Sequence, residues 1–434
     1  MNARWFALAL CFVGTVINFV DRTNFSIAVP VMAKELNLGP ASVGLLLGSF
    51  FWLYLIGVIP VGHLLDKWGS RKVYAACMVI WSVASGATGF GWNMMSLMVP
   101  RIVMGGAEGA SFPTNTKVVA LWFPIRQRGI ATSIWHSAVT IGSAIAYPFV
   151  VFLMVRFGWR YSFVITGVIG VVFGILWYLV YRDPSAPLSE AERAAVAAPR
   201  VAERPKAKKI DWRLALHRNI WGLAVGFFCA NLVNFFFLSW FPSYLMSARH
   251  FSLHQIGTWG ALPSISAVAG VLLGGLTTDM LYRRGWSLTA ARKTCLVGGL
   301  VVSSLIIVAV FASSPWVALA IFCFAYAGIT FTSATIQALP GDLAPSKDRV
   351  GFVAGVQLIG GIIAPLIGGP LIGLSVELAG GSYIAPVVII GVFALLGALV
   401  YLFLIGTIRP TVEAGSDDGA PALPGDANLG ASRS

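Results

Sequence analysis

The sequence predicts an all-α membrane protein, with twelve transmembrane helices in two pseudo-symmetric six-helix bundles. Three observations predict it. Of 434 residues, 57% are hydrophobic and only 11% charged, whereas a soluble chain carries about 25% charged residues. Most of the surface must therefore be apolar and meet lipid. Twelve apolar runs each approach the ~20 residues that cross a bilayer as a helix. The basic residues alternate: 24 of the 30 Lys and Arg fall in the gaps on one side, four on the other, and two inside runs.

The first run, 5–33, follows Arg4 and is too long for a signal peptide, with no small-residue cleavage site behind a short core. It carries the adjacent Asp21 and Arg22 about two-thirds of the way along. The second and third runs, 41–64 and 73–91, flank "GHLLDKWGSRK". The fourth, 94–116, holds Arg101 and Glu108; the fifth and sixth are 129–154 and 159–181. A hydrophilic interval, 182–218, contains four prolines and "RPKAKK" and reads as a surface helix and flexible linker. The remaining runs are 219–246, 253–280, 293–313, 316–338, 350–376 and 382–407, followed by a polar Gly/Ala/Pro-rich tail that composition predicts to be disordered. This divides the chain into a first bundle, 1–181, a linker, 182–218, a second bundle, 219–408, and a tail, 409–434.

An even number of spans puts both termini on one side, and the excess of Lys and Arg makes that side cytoplasmic. The net charge of +13 therefore belongs to loops and forms no continuous face for nucleic acid. The five cysteines all lie in apolar runs, fit no disulfide or metal spacing, and read as small packing residues. No metal or cofactor is expected. "GGLTTDMLYRRG" (274–285) weakly repeats "GHLLDKWGSRK" (62–72) at the equivalent point of the second half, and internal repeats with a site between them are a transporter architecture.

An isolated charge at the bilayer centre costs about 2.5–3.5 kcal/mol on insertion scales. Such residues persist when paired or facing a wet cavity. Arg101 and Glu108 are two turns apart on one helical face. With Asp21 and Arg22 they make a set that is neutral when both acids are ionised. Protonating either acid leaves a positive charge that favours an anion. A guanidinium can hold a carboxylate or sulfonate bidentately, and a buried carboxyl can load and release protons. Proton and anion binding then assist each other. The expectation is that Asp21 and Glu108 are proton sites, Arg22 the main anion clamp, and Arg101 a group that swaps between an acid and the substrate. Because Asp21 and Arg22 diverge by about 100° on a helix, Asp21 is expected to look to Arg101 and Arg22 into the cavity. The alternative is a static charge lattice that only holds helices together.

Tyr54 is a further binding candidate. His136 either donates to an anion or is a packed, hydrogen-bonded histidine. Asn231, Asn234, Gln337 and Gln357 offer polar groups from the second half, or hydrogen bonds between helices. Asp66 with Arg71, and Asp279 with Arg283, sit at helix ends where an acid can lock one conformation. Proline and glycine in the spans, notably "GGIIAPLIGGPLIG" (360–373), suit close, curved packing.

The motif "GHLLDKWGSRK" resembles the loop signature of the major facilitator superfamily. "NFVDRTNFSIA", "FFWLYLIGVIPVGHLLD", "RIVMGGAEGASFPTNTKVVALWFP" and "LSWFPSYL" resemble its anion:cation symporter branch, which includes bacterial galactonate, glucarate and hexuronate transporters, phthalate and tartrate permeases, and vesicular glutamate carriers. The resemblance spans about 1–408 and implies a proton- or ion-coupled carrier with a central cavity between the two bundles, working by alternating access. Together with the interior charges it leads to the expectation of a proton-coupled symporter importing a small organic anion across the bacterial inner membrane as a monomer. It matches Asp21 and Glu108 to proton-titrating acids, and Arg22, Arg101 and Tyr54 to residues around the substrate. One departure is Gln357 where sugar-acid carriers have Asn. Another is "SATIQALPGD" in the tenth span in place of a Ser/Thr-Trp cluster. Both point to a cargo smaller or less hydroxylated than galactonate. An exchanger or exporter of an organic anion is the alternative within transport, and a non-transporting sensor a further one. No zinc motif or nucleophile elbow supports an enzyme.

Overall fold

The computed structural model describes residues 3–183, 214, 217–346 and 349–410. Apart from their ends, the expected linker and tail lie outside these residues, as does Lys347. The described chain is helical and without strands.

Nine helical stretches among the described residues are long and apolar enough to cross a membrane. One of them turns at Gly158, and the 70–88 and 94–122 helices accompany them, which is consistent with the expected twelve passes. They are α1 (Ala3–Glu35), α2 and α3 (40–68 and 70–88), α4 (Met94–Glu108 and Ser111–Trp122), and α5 and α6 (125–157 and 159–180). The second half supplies α7 (Arg218–Arg249), α8 (Leu253–Arg283), α9 (Leu288–Phe311), α10 (Pro315–Leu343), α11 (Val350–Leu378) and α12 (Ile384–Leu404).

Two expected loops each shrink to a turn at a single non-helical glycine. α2 passes into α3 at Gly69 (φ 80°, ψ 164°), and α5 into α6 at Gly158 (φ 82°, ψ 164°). A positive φ is open to glycine without a Cβ penalty, so one residue turns the chain where composition suggested a longer break. The sequences around them, "WGSR" and "FGWR", correspond. α7 carries a π-helical segment, Phe236–Trp240, just after Asn234; such bulges occur often at functional sites.

Large apolar side chains cover the outside, among them Phe90, Trp92, Leu276, Phe324 and Leu378, as lipid contact requires. The two halves meet at the end carrying the 36–39 and 379–383 connections. There the backbones of Gly44 and Gly48 on α2 touch those of Gly369 and Gly373 on α11, and Val151 and Tyr147 on α5 press on Gly257 and Gly260 on α8. The Glu377 carboxylate accepts from the Ala41 backbone N–H across the same seam, at 3.0 Å. One apolar core runs through this seam, joining Val20, Phe25, Met32 and Tyr147 to the second half. At the opposite end, which carries Arg4 and the 62–72 segment, the first half keeps a separate core around Tyr74, Trp81, Trp135 and Trp177. Gly62, Gly129, Gly351 and Gly355 there face open space. The contacts between the halves named here thus gather at one end, and these glycines mark open space at the end bearing the termini.

Candidate functional site

α1 brings Asp21 and Arg22 to mid-membrane, and their 100° divergence sends them to different neighbours. Arg22 turns to α4 and α2. Its Nε lies 2.6 Å from Glu108 Oε2, a charge-assisted bond between groups whose side chains are 20% and 0% exposed. The Tyr54 hydroxyl also bears on it, and its guanidinium lies 4.6 Å from the Phe50 ring centre and 5.5 Å from that of Tyr54. Asp21 turns to α3 and α6. It accepts from Ser85 Oγ at 3.1 Å, with Thr166 beside it.

Arg101 is the unexpected member. It is 4% exposed, yet no carboxylate lies within ion-pair distance among the described residues. Its guanidinium sits 4.1 Å from the Phe25 ring centre and 5.0 Å from that of Phe50. Its nearest polar contact is Met104 Sδ, 3.9 Å from Nη1. Asp21 and Glu108 are within electrostatic reach but not touching. The sequence reading turned Asp21 to Arg101; the structure gives Asp21 to Ser85 and leaves Arg101 among aromatic faces. The Phe50 ring is thus within 5.0 Å of both guanidiniums, and a ring face attracts a cation.

Gly105 and Gly106 let α4 close on α2: the backbone carbonyl of Phe50 lies where a Gly105 side chain would be, and Gly57 meets the Gly106 backbone. This close approach is what brings Glu108 and Arg101 to Phe50 and Tyr54.

Tyr54 is half-buried at the site, stacked on Phe50 at 5.7 Å. His136 is solvent-accessible on α5 but closely surrounded, against Phe112 and Trp135, and none of its ring contacts is to a charged group. Across the seam, Phe51 meets Phe235 at 5.9 Å, one residue from the half-buried Asn234. Gln357 is buried and donates from Nε2 to the Ile336 carbonyl at 3.1 Å, leaving Oε1 without a partner among the described residues. In this conformation it ties α11 to α10. Asn231 bonds within its own helix, to the Phe227 carbonyl.

The helix-end charges are arranged differently from the sequence grouping. Asp66 pairs with Lys117 on α4 at 3.0 Å, its side chain 82% exposed. Arg71 reaches the end of α6, donating to the Tyr178 carbonyl at 2.7 Å with its backbone N–H towards Asp183. Among the described residues of the second half, Arg292 pairs with Asp342 at 3.2 Å, while Asp279 and Arg283 are exposed. Residues that sequence reasoning missed are Lys117, Ser85, Thr166, Phe25 and Phe50. Only a polar repeat on α1 (Thr15, Asn18, Asp21, Asn24) pointed to the buried polar face that Ser85 and Thr166 complete.

Fold and site together define a polytopic membrane carrier whose buried charges lie in its first half. Residues 11–355 match the Major Facilitator Superfamily. A D-galactonate transporter of Escherichia coli O6:H1 is 34% identical over 424 residues, spanning 94% of this chain and 96% of that protein. A probable galactarate/D-glucarate transporter of Escherichia coli K12 is 33% identical over 94% and 96%, and a probable sulfoacetate transporter of Cupriavidus necator 32% identical over 93% of each. Among solved structures, a bacterial homologue of the human lysosomal transporter Spinster, inward-facing and unoccupied, superposes with TM-score 0.79 at 20% identity, covering 94% of this chain and 98% of that one. The chain belongs to the Major Facilitator Superfamily. It is a multi-pass membrane transporter and not an enzyme.

Proposed function

We propose that the protein is a proton-coupled symporter that imports a small organic anion across the bacterial inner membrane by alternating access. The observation that carries this is the set of four charges within the membrane interior: Arg22 bonded to Glu108, Asp21 held by a hydroxyl, and Arg101 without an anionic partner among the described residues. The set is one anion short of full pairing once either acid is protonated. Arg22 is the accessible cation and receives the carboxylate or sulfonate of the substrate. Glu108, released from Arg22, takes a proton or turns to Arg101. Asp21 is the second proton site. Tyr54 and His136 from the first half, and Asn234 and Gln357 from the second, line the rest of the cavity.

The relatives support the cargo class, since galactonate, glucarate and sulfoacetate are all small organic anions. The bundles 1–181 and 219–408 rock about this centre on the 182–218 linker. Asp66, Arg71, Asp279 and Arg283 close the end opposite the seam. That end carries the termini and is rich in Lys and Arg, and so is assigned to the cytoplasm. The working unit is the monomer.

Uptake into proteoliposomes with an imposed pH gradient tests this reading. Wild type should accumulate one of D-galactonate, D-glucarate or sulfoacetate. Asp21→Asn should lose accumulation and retain exchange down a gradient. Uptake indifferent to the pH gradient, or an Asp21→Asn protein that still accumulates, would remove the coupling role.

A further inference from the structure

α6 packs on α3 through Gly167, Gly170 and Gly174, whose missing side chains would meet Gly86, Ser82 and Val79. Below the last of these contacts a groove of about 520 Å³ opens between Lys72, Ala76 and Val79 on α3 and Gly174, Ile175 and Tyr178 on α6. Its walls run on as apolar stripes, Ile80 and Val83 on one helix and Val172, Ile175 and Leu179 on the other, all 48–60% exposed. Residues spaced by three and four share a helix face, and a face so apolar meets lipid rather than water. Lys72 stands three residues past the Gly69 turn, at the end bearing the termini. From Lys72 to Ile80 the helix rises about 12 Å, against about 15 Å for the hydrocarbon of one leaflet. The groove therefore spans most of one leaflet, from its surface inwards.

The mouth of the groove is cationic. Arg71 donates from Nε to the Tyr178 carbonyl at 2.7 Å, and its guanidinium lies 4.6 Å from the Tyr178 ring centre, which holds it against the groove wall. Lys72 is exposed beside it. Neither is in an ion pair among the described residues. Asp183 accepts from the Arg71 backbone N–H at 3.4 Å and from the Tyr181 hydroxyl at 3.2 Å, which leaves two cations against one acid already engaged. An apolar groove headed by an ammonium and a guanidinium complements an amphiphile with an anionic head, and within a bilayer that amphiphile is an anionic phospholipid. The lateral groove between α8 and α10, around Trp259 and Trp316, has no charged residue in its lining, so the cations set the α3–α6 groove apart. We propose that this groove is a binding site for an anionic phospholipid, with one acyl chain between Ala76 and Ile175 and the phosphate on Lys72 and Arg71. The site is separate from the interior charges and does not depend on which anion the protein carries.

Native mass spectrometry of the full chain in detergent tests this, by titration with phosphatidylglycerol or with phosphatidylcholine of the same chain length. A Lys or Arg near an anionic surface contributes roughly fivefold in affinity, so two should favour phosphatidylglycerol by about 25-fold. Lys72→Glu should remove roughly fivefold or more of that preference. Ala76→Trp, which fills the groove from an exposed position, should lower retention of phosphatidylglycerol several-fold. Both variants should melt with wild type in lipid-free detergent, and if one does not, the other decides. Excess sn-glycerol 3-phosphate should displace nothing, because it has no acyl chain. Equal retention of the two lipids by wild type, or variants that bind phosphatidylglycerol as wild type does, overturns the proposal. Displacement by glycerol phosphate overturns it too, in favour of a site for soluble anions.

Discussion

Replacing Gly44 by alanine puts a methyl group into the seam between the halves. An ideal Cβ at Gly44 would lie 3.0 Å from Gly373 Cα and 3.1 Å from the Gly369 carbonyl carbon, and would overlap the Gly369 carbonyl oxygen. Carbon atoms rest at about 3.5–4.0 Å, and the obstructing atoms are backbone, which cannot rotate away. α2 and α11 must therefore part by roughly 0.5–1 Å at this contact, at an overpacking cost of about 1–3 kcal/mol. In the alternating-access cycle proposed above, the conformation in which this end opens does not contain the contact. The equilibrium should shift towards it by roughly 5- to 150-fold. Single cysteines in a cysteine-free background report the shift through an impermeant maleimide. Gly351→Cys, at the end where a side chain meets open space, should label more slowly in the Gly44→Ala protein, and Ala41→Cys at the seam more quickly. Unchanged labelling at both sites in a folded protein would show that this glycine contact does not govern which end is open.

Arg101→Met should raise the melting temperature of the unliganded protein, because it removes a buried cation that has aromatic faces and no carboxylate. Exchange of a buried charge for an apolar side chain is worth about 1–4 kcal/mol where pairing is poor, and uptake should be lost; a fall in melting temperature would make Arg101 a structural residue. Asp66→Asn should change the melting temperature little, since an exposed pair such as Asp66–Lys117 contributes about 0–1 kcal/mol. It should nonetheless slow transport at least tenfold if Asp66 acts in closing the end opposite the seam, as stopped-flow uptake would report.

The number of passes, the alternation of loop charge and the four interior charges were all legible in the sequence, for one reason: lipid penalises charge and rewards apolar length so strongly that composition alone carries the signal. The pairing was not legible. Adjacent residues on a helix diverge by a known angle, but which neighbours they meet depends on how far α4 sinks towards α2, and that depends on the Gly105 and Gly106 contacts. Hence Asp21 turned out to face Ser85 rather than Arg101. Asp66 similarly meets Lys117, 51 residues away in sequence, a partner that spacing alone does not name. The aromatic faces around Arg101 left no trace, because Phe25 and Phe50 look like any other apolar residues of a span.

In the proposed mechanism, the close pairing of Arg22 with Glu108 sets the sign of the coupling. A substrate carboxylate that reaches Arg22 must lie near the ionised Glu108, which is 2.6 Å from the same guanidinium. Two carboxylates about 4 Å apart repel by about 4 kcal/mol at an effective dielectric near 20, an upper bound here because Arg101 offers partial compensation. Anion affinity should therefore be up to roughly a thousandfold weaker with Glu108 charged than with it neutral. Since affinity is linked to protonation, the anion must equally favour proton binding by the same factor. Glu108→Gln separates the two terms: it removes the repulsion permanently and leaves Arg22 a neutral partner. Titration calorimetry of a transported acid between pH 6 and pH 8 should show wild-type affinity falling as the pH rises. The Glu108→Gln protein should bind tightly at both values and release one fewer proton to buffer on dissociation. A Glu108→Gln variant that binds more weakly than wild type at high pH would mean that Glu108 holds the site together rather than competing for it, and the coupling would then have to rest on Asp21 alone.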